Sequence, residues 1–294
     1  MNQITVRVPA KINFLLDVKA KREDGYHEIE TVFQTVSVFD RITITESSCD
    51  SCMGFSVSCD KAGIPCNKTN IVYKAGRLLE EYTGKAFMDN IHIEIQKNIP
   101  SQAGMGGGSA DAAAVMIALN KIYELGLSEE ELISIGAKAG ADVPFFILGG
   151  TCYAGGIGEK LVPCKNNIGR LPLVIAKGEE GVSTAAGYRA VDEWQGSFEN
   201  KTGELCRALE TGDREKLAAL VSNKFTEAVG LKEVADIRRI MRDRGALGTE
   251  MTGSGSAVFG IFESEEAAKS CCEALKGYSF AVVCYAEDLK AEII

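Results

Sequence analysis

Residues Pro100 to Asp111 read Pro-Ser-Gln-Ala-Gly-Met-Gly-Gly-Gly-Ser-Ala-Asp and place four glycines within twelve residues. An alternating run with Ile91, Ile93 and Ile95 on one face precedes them, and an alanine-rich helix is expected to begin near Ser109. The glycines therefore occupy a strand-to-helix turn, where a chain can hold phosphate. Glycine removes the side chains that would keep a ligand at a distance, and the first helical turn leaves N–H donors free beside the positive end of the dipole. The alternative is a tight connection whose glycines only relieve strain. Two common phosphate motifs are incomplete here. A P-loop would close with Gly-Lys-Ser/Thr, and the dinucleotide fingerprint would have a third glycine where Ser109 stands.

Other groups offer acid-base and recognition chemistry. Lys11 and Asn13 project together from the face opposite the apolar positions of the first strand, into either a cleft or solvent. Asp142, in Gly140-Ala141-Asp142-Val143-Pro144, is suited to cap the short apolar helix from Val143 to Leu148, with Pro144 in its first turn. Tyr26, His27 and Phe33 could stack on and hydrogen-bond a flat heterocycle, although a packed tyrosine and an exposed histidine are commoner. Asn70 precedes an amphipathic helix with Ile71, Ala75, Leu78 and Leu79 and reads first as its cap.

These residues depend on a simple sequence of elements. Every even position from Ile4 to Val18 is apolar, which predicts a half-buried strand with an edge or bulge at Pro9. Asp24-Gly25 predicts a hairpin turn into a strand from about Glu30 to Val38, and Glu46 to Thr69 reads as loop. Ser128-Glu129-Glu130-Glu131 is a capping box. Composition shifts after Gly149-Gly150 and Gly155-Gly156, placing a domain boundary near residue 157. Beyond it lie a strand from Leu171 to Ala176, helical segments containing Tyr188 and Trp194, a helix from about Lys232 to Arg244, and two strands flanking a further helix. That order predicts a split βαβ domain whose hairpin tip, Thr252-Gly253-Ser254-Gly255-Ser256, is a second glycine-rich anion nest.

With 294 residues, 46% of them apolar and 25% charged, the chain can bury a large core, most plausibly in two domains. A net charge of −9 without a Lys/Arg stripe argues against nucleic acid as a partner. No signal peptide or membrane span is evident, so the expected compartment is the cytoplasm and the ten cysteines are expected to be reduced thiols. Cys49 and Cys52 have CxxC spacing, but no second pair follows to complete a metal site.

Three stretches together resemble the GHMP small-molecule kinases: Pro9-Ala10-Lys11-Ile12-Asn13, Pro100 to Asp111, and Met251 to Ser256. Asp24-Gly25-Tyr26-His27, Gly140 to Phe146, and Gly181-Val182-Ser183-Thr184 bring the resemblance closer to the branch acting on 4-diphosphocytidyl-2-C-methyl-D-erythritol, over nearly the whole chain. The resemblance implies a two-domain α+β fold, with an N-terminal ribosomal protein S5 domain 2-like unit over 1–157 and a C-terminal ferredoxin-like unit over 158–294. It implies ATP-dependent phosphorylation of the substrate's 2-hydroxyl in the non-mevalonate isoprenoid route, with Mg²⁺. Asp142 is then the general base, and Lys11 the cation that orients it. Asn70, Lys97, Pro100, Gly104, Met105, Gly106, Gly107, Gly108 and Ser109 correspond to ATP contacts. Asn13, Tyr26, His27, Phe33 and Tyr188 correspond to the substrate pocket, with His27 as the reader of the cytosine edge. The partner is a small molecule, neither nucleic acid nor membrane, and the chain is expected to be a monomer or homodimer. Ala110 departs from the pattern, which has a second serine there. Another GHMP kinase of homoserine or mevalonate type, or an inactive nucleotide-binding relative, is the alternative.

Overall fold

The computed structural model of the chain describes residues 2–46 and 54–294. Cys49 and Cys52 lie outside the described residues. In chain order the first half contains β1 (Gln3–Lys21), β2 (His27–Glu46), β3 (Ser56–Cys59), α1 (Ile71–Thr83), β4 (Ile91–Gln96), α2 (Gly107–Ile122), α3 (Glu129–Ala139), α4 (Val143–Leu148), β5 (Thr151–Gly155) and β6 (Lys160–Pro163). The second half contains β7 (Leu171–Lys177), α5 (Thr184–Glu193), α6 (Thr202–Thr211), α7 (Arg214–Leu220), β8 (Ser222–Asn223), α8 (Lys224–Val229), α9 (Lys232–Asp243), β9 (Gly248–Met251), β10 (Val258–Ile261), α10 (Glu265–Ala274), β11 (Phe280–Ala286) and β12 (Glu292–Ile293).

The long hairpin β1–β2 is the frame of the molecule. Its register slips between Pro9 and Ala10, the bulge expected at a residue that cannot donate to the ladder, and again between Asn13 and Leu15. β2 is longer than its sequence pattern indicates, because successive parts of it find different partners: β5 at Thr31 to Gln34, β11 at Val36 and β4 at Arg41 to Glu46. The region read as loop before Thr69 contains β3, which pairs parallel to β4. Four residues were too short a run to announce a strand.

In the second half the strand order is β11-β7-β10-β9, the arrangement expected for a split βαβ unit. It joins the first half through β2 and β11, so strands from both halves share one mixed sheet. β7 is buried on both faces and separates two cores. Leu171, Leu173 and Ile175 face the larger core, while Val174 and Ala176 face the smaller one with Ile237, Met241 and Phe262. Residue 157 falls in the connection from β5 to β6. No helix among the described residues is long and apolar enough to cross a membrane.

Candidate active site

The glycine stretch forms the stem and mouth of a cleft of about 730 Å³. The strand β4 ends at Gln96, residues 97–106 turn, and α2 begins at Gly107, two residues earlier than the sequence pattern indicates. Gly104 and Gly106 have φ of 72° and 74°, in the left-handed region that favours glycine. A Cβ on Gly106 would lie 2.5 Å from the Phe146 ring, and one on Gly104 would lie 2.0 Å from the Thr252 carbonyl oxygen. The turn therefore needs glycine for its conformation and for close packing alike. Pro100, Gly104, Met105, Gly106, Gly107, Gly108 and Ser109 all line the cleft. Ala110 is fully buried in α2 and does not line it, so the missing hydroxyl leaves the wall unchanged.

The second glycine nest packs directly on the first. Thr252 Oγ1 lies 3.3 Å from Gly104 O, and Ala257 N donates to Ala103 O at 3.2 Å. Asn13 ties this junction to β1. Its Oδ1 accepts from Lys11 Nζ at 2.9 Å and from Gly253 N at 2.9 Å, and its Nδ2 donates to Thr31 Oγ1 at 2.8 Å. Asn13 is buried with its polar atoms engaged, so within the cleft wall it joins the two loops.

Lys11 on β1 and Asp142 at the start of α4 are 131 positions apart in sequence and meet in the fold. Lys11 Nζ stands 3.7 Å from Asp142 Oδ2 and 4.8 Å from the centre of the Phe33 ring. Burial pulls the Lys11 ammonium below its ordinary value, and the Asp142 carboxylate works in the opposite direction. Asp142 occupies the cap position of α4, yet its side chain makes no capping hydrogen bond. The carboxylate lines the cleft instead, a third exposed. By contrast, Ser128 and Glu131 form the expected reciprocal capping box on α3.

Asn70 caps α1 by accepting from Val72 N at 3.1 Å, and it also lines the cleft. Lys97 is buried between two carboxylates: its Nζ is bonded to Asp40 Oδ2 and stands 2.7 Å from Asp111 Oδ2. Burial pushes the Asp111 carboxyl well above its ordinary range, with Lys97 opposing the shift. A Cβ on Gly107 would come within 2.9 Å of Lys97 Nζ, so this ion cluster supports the loop from beneath. Asp40 and Asp111 did not stand out in the sequence. Asp40 sits on a strand without local signal, and Asp111 is simply the last residue of the glycine stretch.

The aromatic residues divide into two groups. Phe33 and Tyr188 line the cleft, joined by Phe225, which the sequence did not single out. Burial, with Asp142 adding to it, pushes the Tyr188 phenol up to about 12. His27 lies behind Tyr188, its ring stacked at 4.8 Å and its Nε2 2.7 Å from Asp192 Oδ1. Asp192 on α5 is a contact that spacing alone could not reveal. Tyr26 is 61% exposed and outside the cleft, because the turn from Arg22 to Gly25 carries it away; its backbone N–H donates to Asp24 Oδ1. Phe33 and Tyr188 are thus on the wall, His27 stands one layer behind it, and Tyr26 stands at a distance.

A cleft with a glycine-built phosphate cradle at one end and a lysine-paired carboxylate at the other has the parts of a phosphotransferase that acts on an alcohol. Residues 70–150 match the GHMP kinases N terminal domain, and residues 205–279 match the GHMP kinases C terminal domain. The chain belongs to the GHMP kinase family. A protein of Caldicellulosiruptor bescii named 4-diphosphocytidyl-2-C-methyl-D-erythritol kinase is 44% identical over 270 residues, covering 91% of this chain and 92% of the relative. One of the same name from Alkaliphilus oremlandii is 41% identical over 94% of this chain and 93% of the relative. The crystal structure of a 4-(cytidine 5'-diphospho)-2C-methyl-D-erythritol kinase superposes with a TM-score of 0.80 at 31% identity, covering 97% of this chain and 100% of that one. A homoserine kinase from Cytophaga hutchinsonii shares the fold at a TM-score of 0.78 and 18% identity.

Proposed function

We propose that this enzyme transfers the γ-phosphoryl group of ATP to the 2-hydroxyl of 4-diphosphocytidyl-2-C-methyl-D-erythritol, a step toward isoprenoid precursors by the non-mevalonate route. The observation that carries the reading is the meeting of Lys11 and Asp142 at 3.7 Å on the wall shared with the glycine turn, in a chain 44% identical to a kinase of that name. Asp142 accepts the hydroxyl proton as the oxygen attacks the γ-phosphorus and the bond from that phosphorus to the β–γ bridging oxygen breaks to release ADP, while Lys11 holds the carboxylate toward the substrate and offsets charge on the transferred group. Backbone N–H groups at the start of α2 hold the polyphosphate, with Asn70 and the stem at Lys97 and Pro100 beside the nucleotide. Phe33 and Tyr188 enclose the cytosine end.

Mg²⁺ belongs to the same proposal. Magnesium in such sites is held through one or two protein oxygens and the phosphates themselves. Ser109, on the cleft wall, supplies an oxygen of that kind, and no group of three ligating side chains occurs among the described residues. The cation would neutralise charge on the polyphosphate. The proposal includes two units divided near residue 157, and a small-molecule partner met in the cytoplasm.

The test is direct. Purified enzyme incubated with Mg-ATP and 4-diphosphocytidyl-2-C-methyl-D-erythritol should give a new phosphomonoester resonance by phosphorus NMR, while homoserine and mevalonate should give none. Silence with the cytidyl substrate at high enzyme concentration would defeat the substrate assignment.

A further inference from the structure

Behind the stem of the glycine turn lies a second cavity of about 750 Å³, as large as the active-site cleft. It opens where the shared sheet forks. β2 pairs with β11 at Val36 and with β4 from Arg41 onward, and the segment between them, Ser37 to Phe39, faces the gap. Lys97, Pro100 and Ser101 line both cavities, so one short segment of chain separates them.

The charge in this second cavity is one-sided. Arg7, Arg41, Lys61, Lys97 and Lys177 line it, and no carboxylate among the described residues does, in a chain whose net charge is −9. Nearby carboxylates are already engaged. Asp40 and Asp111 both pair with Lys97 Nζ, Asp60 accepts from Lys97 N at 2.8 Å, and Glu292 pairs with Arg7. The unanswered cations are Arg41, Lys61 and Lys177, which have no ion-pair partner among the described residues; Lys177 Nζ donates only to the Gly178 carbonyl, at 3.0 Å. Moreover, Arg7 and Arg41 stand directly opposite each other in the β1–β2 register. Like charges in that relation destabilise a sheet. Glu292 sits opposite Arg7 on the other side and answers only one of them. Phe39, Phe280 and Val282 add an apolar floor, with Arg7 placed 4.5 Å over the Phe39 ring.

We propose that this cavity is a second binding site, for a small phosphate or diphosphate ester of an apolar alcohol. Its anionic group is held by Arg41, Lys61 and Lys177, and its apolar body lies against Phe39 and Phe280. The size is that of a small-molecule site, and a guanidinium beside lysines is the usual receiver of phosphate. The ligand would bridge the two halves of the chain, since Arg41 and Lys61 come from the first and Lys177 and Phe280 from the second.

Calorimetric titration with pentyl diphosphate tests this, with the first cleft kept saturated by a non-hydrolysable ATP analogue. The intact enzyme should bind one equivalent, more weakly as salt rises. Arg41→Gln combined with Lys177→Gln should weaken that binding at least roughly tenfold, with basal turnover unchanged as proof of folding. Lys61→Gln, at an exposed position, provides a second and milder loss. Inorganic pyrophosphate should bind several-fold more weakly than the pentyl ester. Absence of saturable binding, or equal binding by the double variant, would overturn the site; equal affinity for pyrophosphate would overturn its apolar half.

Discussion

The two ends of the active-site cleft are built from different materials. At the proposed phosphate end the wall is largely backbone, held in place by Gly104, Gly106 and Gly107, which leave no room for a side chain, and by an ion cluster beneath them. At the acceptor end the wall is side chains, Asp142, Phe33 and Tyr188, placed by elements far apart in sequence. Backbone sites tolerate almost no change in residue type but need few partners. Side-chain sites tolerate neighbours of many kinds, yet their chemistry rests on one or two groups. Substitutions should therefore damage the first end through structure and the second through turnover.

The largest effect is expected from Asp142→Asn. Its side chain caps nothing but stands beside the buried Lys11 ammonium, so a stability loss smaller than that of Lys97→Met should accompany a fall in kcat of about 10²–10⁴-fold with ATP affinity retained. Near-normal turnover in a folded variant would remove Asp142 from the base role. Lys97→Met tests the support of the phosphate end. It leaves Asp40 and Asp111 buried without their cation, and a loss of roughly 3–5 kcal/mol should appear in chemical denaturation. An unfolding midpoint like that of the unaltered chain would show the cluster to be dispensable.

Gly106→Ala should cost about 1–3 kcal/mol, since its methyl would meet Phe146 in a left-handed turn, and the KM for ATP should rise with it. Unchanged stability would mean that the turn is softer than its contacts imply. Tyr26→Ala sharpens the boundary of the acceptor end. Loss of an exposed ring should leave stability within about 0.5 kcal/mol. If the ring closes over bound cytosine, the KM for the cytidyl substrate should rise roughly tenfold, and an unaltered KM would place Tyr26 outside the substrate pocket. The mildest effect is one of pH. Because burial lowers the Lys11 pKa, its ammonium is lost as pH rises through a value below the ordinary 10.5. The alkaline limb of kcat should accordingly lie below 10.5, and a limb at or above that value would contradict the role of Lys11 as the orienting cation.

The contrast between the two ends also explains what could be read from sequence. The glycine turn was legible because its requirement is local: φ above zero and close backbone approach select one residue type in a contiguous run. The capping box at Ser128 and the bulge at Pro9 were legible for the same reason. On local spacing Asp142 looked like a cap, and its pairing with Lys11 rested on the family resemblance; in the fold β1 brings the two to 3.7 Å. The His27–Asp192 contact, the Asp40–Lys97–Asp111 cluster and the Asn13 junction each depend on residues brought together by the sheet. β3 was missed because its partner β4, rather than its own four residues, makes it a strand.

The junction at Asn13 has a bearing on how the enzyme comes into being. Asn13 and Gly253 are separated by 240 positions, and the bond between them joins the two halves of the chain. Helices α1 to α3 need nothing so distant, and contacts at long sequence separation are the slow ones to form. The Asn13 junction is thus expected to form late in folding. The glycine turn shares that dependence through its contacts with Thr252 and Ala257, so turnover, more than helix content, is the gauge of a fully assembled molecule.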